Sequence, residues 1–150
     1  MSRRIVFSVT AGVAVLAGAG AFAVAYAGDQ PPSVAHSAAR YVAPEGGRGG
    51  SLTFTTDVTA SSGVKNVKVL AWPANSSFAK QGLTEKDMAA VESAVCKPSG
   101  ADTVRCAYTA TVTRAEADES PRGLWHVAVL ATAKDGDTTL DTKAADFTVG

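Results

Sequence analysis

The sequence predicts an all-β fold: two packed antiparallel sheets with one short helix inserted at about residues 85–94. Three observations predict it. Apolar and polar side chains alternate with period two in several separate stretches, as half-buried strands require. Turn signals rich in Gly, Pro, Ser and Asp separate those stretches. The intervals between them are too short for the repeated helical crossovers that a parallel sheet needs.

The elements follow in order. Arg3 and Arg4 precede residues 5–25, which carry no charged side chain, and Ala25-Tyr26-Ala27 then gives a small-x-small exit. Charge, apolar run and small exit in that order describe a signal peptide over residues 1–27. The apolar run partitions into the membrane during export, and the peptidase pocket accepts small side chains before the cut. Cleavage predicts a secreted, extracellular protein. Retention is the alternative: about 20 apolar residues can span a bilayer, and the uncut chain would then be displayed on the cell surface. Gly12, Gly18, Gly20, Ser8 and Thr10 make the run a weak anchor. Contact with membrane is expected only if the segment is retained.

Residues 28–40 are rich in Gly, Pro, Ala and Ser and read as a flexible lead-in, leaving 41–150 as one domain. Tyr41-Val42-Ala43-Pro44 reads as a short first strand. Leu52, Phe54, Thr56 and Val58 alternate with polar neighbours and mark the next. Ser61-Ser62-Gly63 is a turn, and residues 64–72 are a strand with Val67, Val69 and Ala71 on one face. Leu83, Met88, Val91 and Val95 then recur at helical spacing. Thr84 stands ready as a cap, with Glu85 and Asp87 in the first turn, where the helix dipole favours acids. Val104, Cys106, Tyr108, Ala110 and Val112 give the clearest alternation in the chain. Residues 115–123 are charged, end in Pro121 and Gly123, and read as a loop. Residues 124–133 are apolar on both faces, which predicts a central or partly covered strand. Asp135-Gly136-Asp137 is a hairpin signal, and residues 138–149 close the sheet with Phe147 and Val149 inward.

The chain is formally neutral, with 14 basic and 14 acidic side chains. No basic patch or run of like charge points to nucleic acid. An exported chain meets oxidising surroundings, so the two cysteines, Cys96 and Cys106, read as a disulfide. Closing so short a loop contributes about 3 kcal/mol in the chain-entropy treatment.

Two stretches resemble a known architecture. Asp57 followed by Ser62-Gly63-Val64, Val67 and Val69 resembles the early strand-turn-strand of bacterial immunoglobulin-like domains. Gly123-Leu124-Trp125-His126-Val127-Ala128-Val129-Leu130-Ala131, followed by Asp135-Gly136, resembles their penultimate strand. The whole chain looks like small secreted actinobacterial proteins of unknown function. The resemblance implies an immunoglobulin-like antiparallel β-sandwich and carries over no catalytic residue. The inserted helix and the local Cys96–Cys106 pair depart from the ordinary pattern.

Candidate chemistry is sparse. His36 and His126 are the only histidines. His36 lies in the lead-in, and His126 lies mid-strand facing opposite to Trp125, with no nucleophile pinned beside it by motif. No Gly-x-Ser-x-Gly elbow is present. Asp135, Asp137 and Asp141 invite calcium, but Asp-Gly at a hairpin is ordinary turn chemistry. Glu116, Asp118 and Glu119 share one loop and read as a solvated cluster. No catalytic residue, metal or cofactor is expected. Trp72, at a strand end beside Pro73, and Phe78 form the candidate binding surface, unless the helix covers Trp72. The expected function is a noncatalytic extracellular module that binds another extracellular protein or an envelope polymer. The alternatives are a protease inhibitor presenting the tied 96–106 loop and a small hydrolase.

Overall fold

The computed structural model describes residues 30–150; the expected signal peptide at 1–27 lies outside them. Among the described residues seven strands and two short helices follow one another as β1 (Ser33–Val42), β2 (Gly50–Thr59), β3 (Val64–Pro73), α1 (Ser77–Gln81), β4 (Val95–Gly100), β5 (Thr103–Val112), α2 (Arg114–Glu119), β6 (Gly123–Ala133) and β7 (Thr138–Val149). They build two antiparallel sheets, β1-β2-β5-β4 and β3-β6-β7. The all-β sandwich expected from the alternating pattern is present. No helix among the described residues is long and apolar enough to cross a membrane.

The inward faces are those the period-two pattern selects. Leu52, Phe54 and Val58 of β2, Val67, Val69 and Ala71 of β3, and Trp125, Val127, Val129 and Ala131 of β6 meet in one buried cluster. Trp125 is wholly buried, stacks on Phe147 at 5.8 Å, and donates its indole N–H to the Pro121 carbonyl at 2.9 Å. Phe147 in turn faces Tyr41 at 6.3 Å, so an aromatic row spans from β6 through β7 to β1. Each such side chain removed from water contributes about 1.5–3 kcal/mol, which makes this row a main source of stability. Its desolvation also holds the Tyr41 phenol far above its ordinary acidity range.

Three local expectations need correction. First, β1 begins at Ser33, inside the stretch read as a flexible lead-in. A one-residue bulge between Ala35 and Ala38 shifts its register against β2. Val34 pairs with Val58 before the bulge, and Ala39 and Tyr41 pair with Phe54 and Leu52 after it. No single period of two can therefore connect Val34 with Tyr41. The bulge is filled by the buried Thr56, which donates to the Ala35 carbonyl at 3.2 Å and accepts from Ser37 Oγ at 2.8 Å. The glycines that follow make the β1–β2 turn: Gly46 and Gly47 take φ of 56° and 81°, a conformation that L side chains resist.

Second, the inserted helix is α1, not residues 85–94. Thr84 does cap a turn: the Asp87 carboxylate accepts from both its N–H and its hydroxyl, at 2.8 Å each. These bonds, the backbone one first, hold the pKa of Asp87 below its usual value. The bonds that follow, from Asp87, Met88 and Ala89 N–H, reach back only three residues. A full helix cannot continue because Glu92 and Ala94 are drawn along the edge of β3, through Val69 N–H to Glu92 O and Ala94 N–H to Val67 O. Third, the stretch 115–123, expected as loop, is helical in its first part, within α2 (Arg114–Glu119). Its start is a capping box in which Thr113 and Glu116 satisfy each other's backbone N–H groups.

The consequence for function lies on the far side of β3-β6-β7. The segment between β3 and β4 folds back over that sheet's outer face. Met88 and Leu83 pack there on Trp72, Ala128 and Leu130, a second buried cluster separated from the first by the sheet itself. Lys68 Nζ to the Ala89 carbonyl (2.7 Å) and Thr138 Oγ1 to Glu85 Oε1 (2.6 Å) hold the insert in place.

Candidate functional site

The outer face of this sheet carries one row of unlike side chains. Trp72 pairs directly with His126 across β3 and β6, and His126 pairs directly with Asp146 across β6 and β7. Alternation puts all three on the face opposite Trp125. The indole and imidazole rings lie 4.7 Å apart at 52°. His126 Nδ1–H donates to Asp146 Oδ1 at 2.5 Å, and a carboxylate oxygen only accepts, so this bond selects the tautomer with its lone pair on Nε2.

The register that makes the row depends on a bulge. Continued evenly from the Thr132↔Thr138 pair, the β6–β7 hairpin would set Ala144 opposite His126. Two extra residues of β7, inserted between the Val129↔Asp141 and Val127↔Ala145 pairs, bring Asp146 there instead. An insertion of two leaves the inward and outward faces unchanged. It also frees the Thr142 carbonyl, which accepts the Trp72 indole N–H at 2.9 Å. The bulge thus fixes both ends of the row, as bulges beside functional sites do.

Beside the row lies a cavity of about 300 Å³. Trp72, Phe78, Ala79 and Leu83 supply its apolar wall, and His126, Thr142 and Lys143 its polar wall. Phe78 of α1 meets Trp72 edge-on at 6.4 Å. Gly82, with φ of 78°, ends α1 at the cavity wall. His126 is 7% exposed, and Asp146 is its one hydrogen-bond partner among the described residues. His126 lines the cavity, and Nε2 is the ring nitrogen that the bond to Asp146 leaves unengaged.

The residues singled out from the sequence fall into distinct places. Trp72 and Phe78 come together in this cavity, but Trp72 is 3% exposed and serves as floor, covered by the insert. His126 joins them. His36 stands apart at the β1 bulge with φ of 53°, its Nδ1 3.0 Å from Asp57 Oδ2, while Arg105 reaches the other oxygen of Asp57. Cys96 and Cys106 form a disulfide between directly paired positions of β4 and β5. The tied segment 97–100 is accordingly part of the edge strand of a hairpin, with a register shift between Pro98 and Gly100. Asp135 accepts from Asp137 N–H and Asp141 from Lys143 N–H, so both serve turn geometry. Glu116 belongs to the α2 cap. Among the described residues no cluster of three or more His, Cys, Asp or Glu is arranged to hold a metal.

Sequence reasoning missed Asp146, Thr142 and Lys143, because only the β7 bulge brings them to His126. Chemically, the site offers an oriented imidazole acceptor, a hydroxyl and an ammonium against an aromatic wall. A nucleophilic triad would need a hydroxyl or thiol bonded to Nε2; none is bonded there among the described residues.

A model of a family of unknown function (DUF5707) matches residues 34–131. The match runs from the second residue of β1 into β6, and β7 with its bulge lies beyond it. No curated protein matches the chain.

Proposed function

The chain belongs to the DUF5707 family, whose function is unknown, and we propose that it is a secreted, noncatalytic, immunoglobulin-like binding module whose ligand face is the outer side of β3-β6-β7. Lettered A to G in chain order, its sheets read A-B-E-D and C-F-G. That order supports the immunoglobulin-like reading, because it is the constant-type arrangement. The Cys96–Cys106 disulfide is compatible with an oxidising, extracellular setting. Fold alone does not choose a function. The observation that carries this one is the Trp72–His126–Asp146 row beside a cavity whose polar groups await a partner.

The test is retention of the purified protein on isolated envelope polymers, or co-isolation of a secreted protein. Retention that Phe78→Ala or Lys143→Met weakens, with thermal unfolding unchanged, supports the proposal. Absence of any such partner removes it. Mass spectrometry of the secreted form should show an N-terminus at Gly28; an intact leader on cell-associated protein would replace secretion by surface anchoring. A second reading, a small hydrolase with His126 as base, is favoured by one observation, the carboxylate that orients the imidazole. Ester or amide hydrolysis that His126→Ala abolishes in a folded protein would put that reading first.

A further inference from the structure

We propose that the cavity beside His126 takes a small hydroxy acid with an apolar body: carboxylate at Lys143 and Thr142, hydroxyl at His126 Nε2, body against Phe78 and Leu83. This rests on the binding reading above and names its ligand class.

The argument begins with the imidazole. Nδ1–H is committed to Asp146, so neutral Nε2 can only accept, and its natural partner is a ligand O–H or N–H. Its neighbours on the polar wall narrow the choice. Lys143 Nζ and the Thr142 hydroxyl carry no hydrogen bond or ion pair within the protein among the described residues; their backbone groups alone are engaged. Among the described residues no carboxylate lines the cavity, and Asp146 is engaged with the imidazole. The lining is therefore cationic at one place and hydroxyl-bearing beside it, which complements a carboxylate. A ligand amine would meet Lys143 with like charge, so the donor that suits Nε2 is a hydroxyl rather than an ammonium.

The opposite wall is aromatic and aliphatic, and it lacks any polar side chain. An apolar ring or branched chain seats there without stranding a polar group. A cavity of about 300 Å³ sits at the small end of ligand sites, ~300–1,000 Å³, which suits one small group, free or at the exposed end of an envelope polymer.

Three probes separate the contributions: 3-phenyllactate, 3-phenylpropionate without the hydroxyl, and 2-phenylethanol without the acid. Each is titrated into purified, isotope-labelled protein while backbone amide resonances are followed. Phenyllactate should bind saturably at about 1 mM or tighter, shifting the amides of Gly82, Thr142 and Lys143. Loss of the ligand hydroxyl should weaken binding roughly three- to tenfold, and Lys143→Met, at an exposed position, about tenfold. Phenylethanol binding as well as phenyllactate, or Lys143→Met binding it unchanged, overturns the hydroxy-acid assignment and leaves the cavity as a binding site. Absence of shifts at these amides with all three probes overturns the cavity as a site for this ligand class, while the binding reading stands or falls by retention on envelope polymers or a secreted protein.

Discussion

The core between the sheets and the cluster on the outer face of β3-β6-β7 share strand β6 and differ in how they are filled. In the first, two sheets face each other, and alternate residues of β2, β5 and β6 point inward. In the second, one sheet is covered by an irregular insert that contributes Leu83 and Met88 from turns. The regular core needs only alternation. The covered face needs a particular chain path, fixed by Lys68 and Thr138 on the sheet side and by the pairing of Glu92 and Ala94 with β3. The cavity sits in the second region. A site that must admit a ligand is more readily built where packing is supplied by a short insert than where two sheets close on each other.

Mutations should separate the two regions, and the largest effect is expected from the regular core. Trp125→Ala deletes the centre of the aromatic row and should cost about 3–5 kcal/mol, read as a fall in denaturant midpoint. Protection of amides in both sheets should fall together, since the cluster joins them. Replacing Cys96 and Cys106 together by Ala should cost about 3 kcal/mol through the unfolded state. Its structural signature should be confined to edge strand β4, which the disulfide ties to β5. Met88→Ala should cost less, about 2 kcal/mol, the low end for such truncations, because the insert can settle into the gap. Amide exchange should rise in the insert and along the β3 edge while β2 and β5 stay protected. A global loss of protection in Met88→Ala would break the comparison, making the covered face part of one undivided core.

The same division explains what the sequence revealed. Alternation at 52–58, 104–112 and 124–133 located β2, β5 and β6, because nothing interrupts their phase. Residues 33–42 hid β1, because the bulge at His36 and Ser37 inverts the phase between Val34 and Tyr41. Thr56 was legible as inward, yet its partner carbonyl, Ala35, was not, since the bulge creates that contact. Of the run Leu83, Met88, Val91 and Val95, Leu83 and Met88 are buried, Val91 is half-buried and Val95 is exposed. Helical spacing was the wrong geometry for it, because long-range pairing with β3 overrides local preference. Trp72 could be named from its place at a strand end beside Pro73, and Phe78 with it, although Trp72 is buried. Asp146 could not, since a two-residue bulge decides which β7 residue faces His126. Strand faces are local information; bulge positions depend on tertiary partners such as the Trp72 indole.

The smallest predicted effect tests the seam between the regions. Tyr108 packs against the core from β5 and donates its phenol O–H to Glu92 Oε2 at 2.9 Å, the residue whose carbonyl pairs with β3. Desolvation first, then the bond to Glu92 and its negative charge, push the Tyr108 phenol well above its ordinary value. A phenol so raised stays protonated in the folded chain after the unfolded chain has begun to lose its proton. Stability from this source is thus complete below the free-tyrosine value of about 10 and falls as pH rises beyond it. Tyr108→Phe should cost about 1 kcal/mol at neutral pH, measured by denaturant titration. It should also make the alkaline decline shallower without abolishing it, because Tyr41, buried in the aromatic row, is raised in the same direction. If the variant keeps wild-type stability at neutral pH and the same alkaline slope, the Tyr108–Glu92 bond does not hold the insert to the core, and the two regions are coupled through β6 and the β3 edge alone.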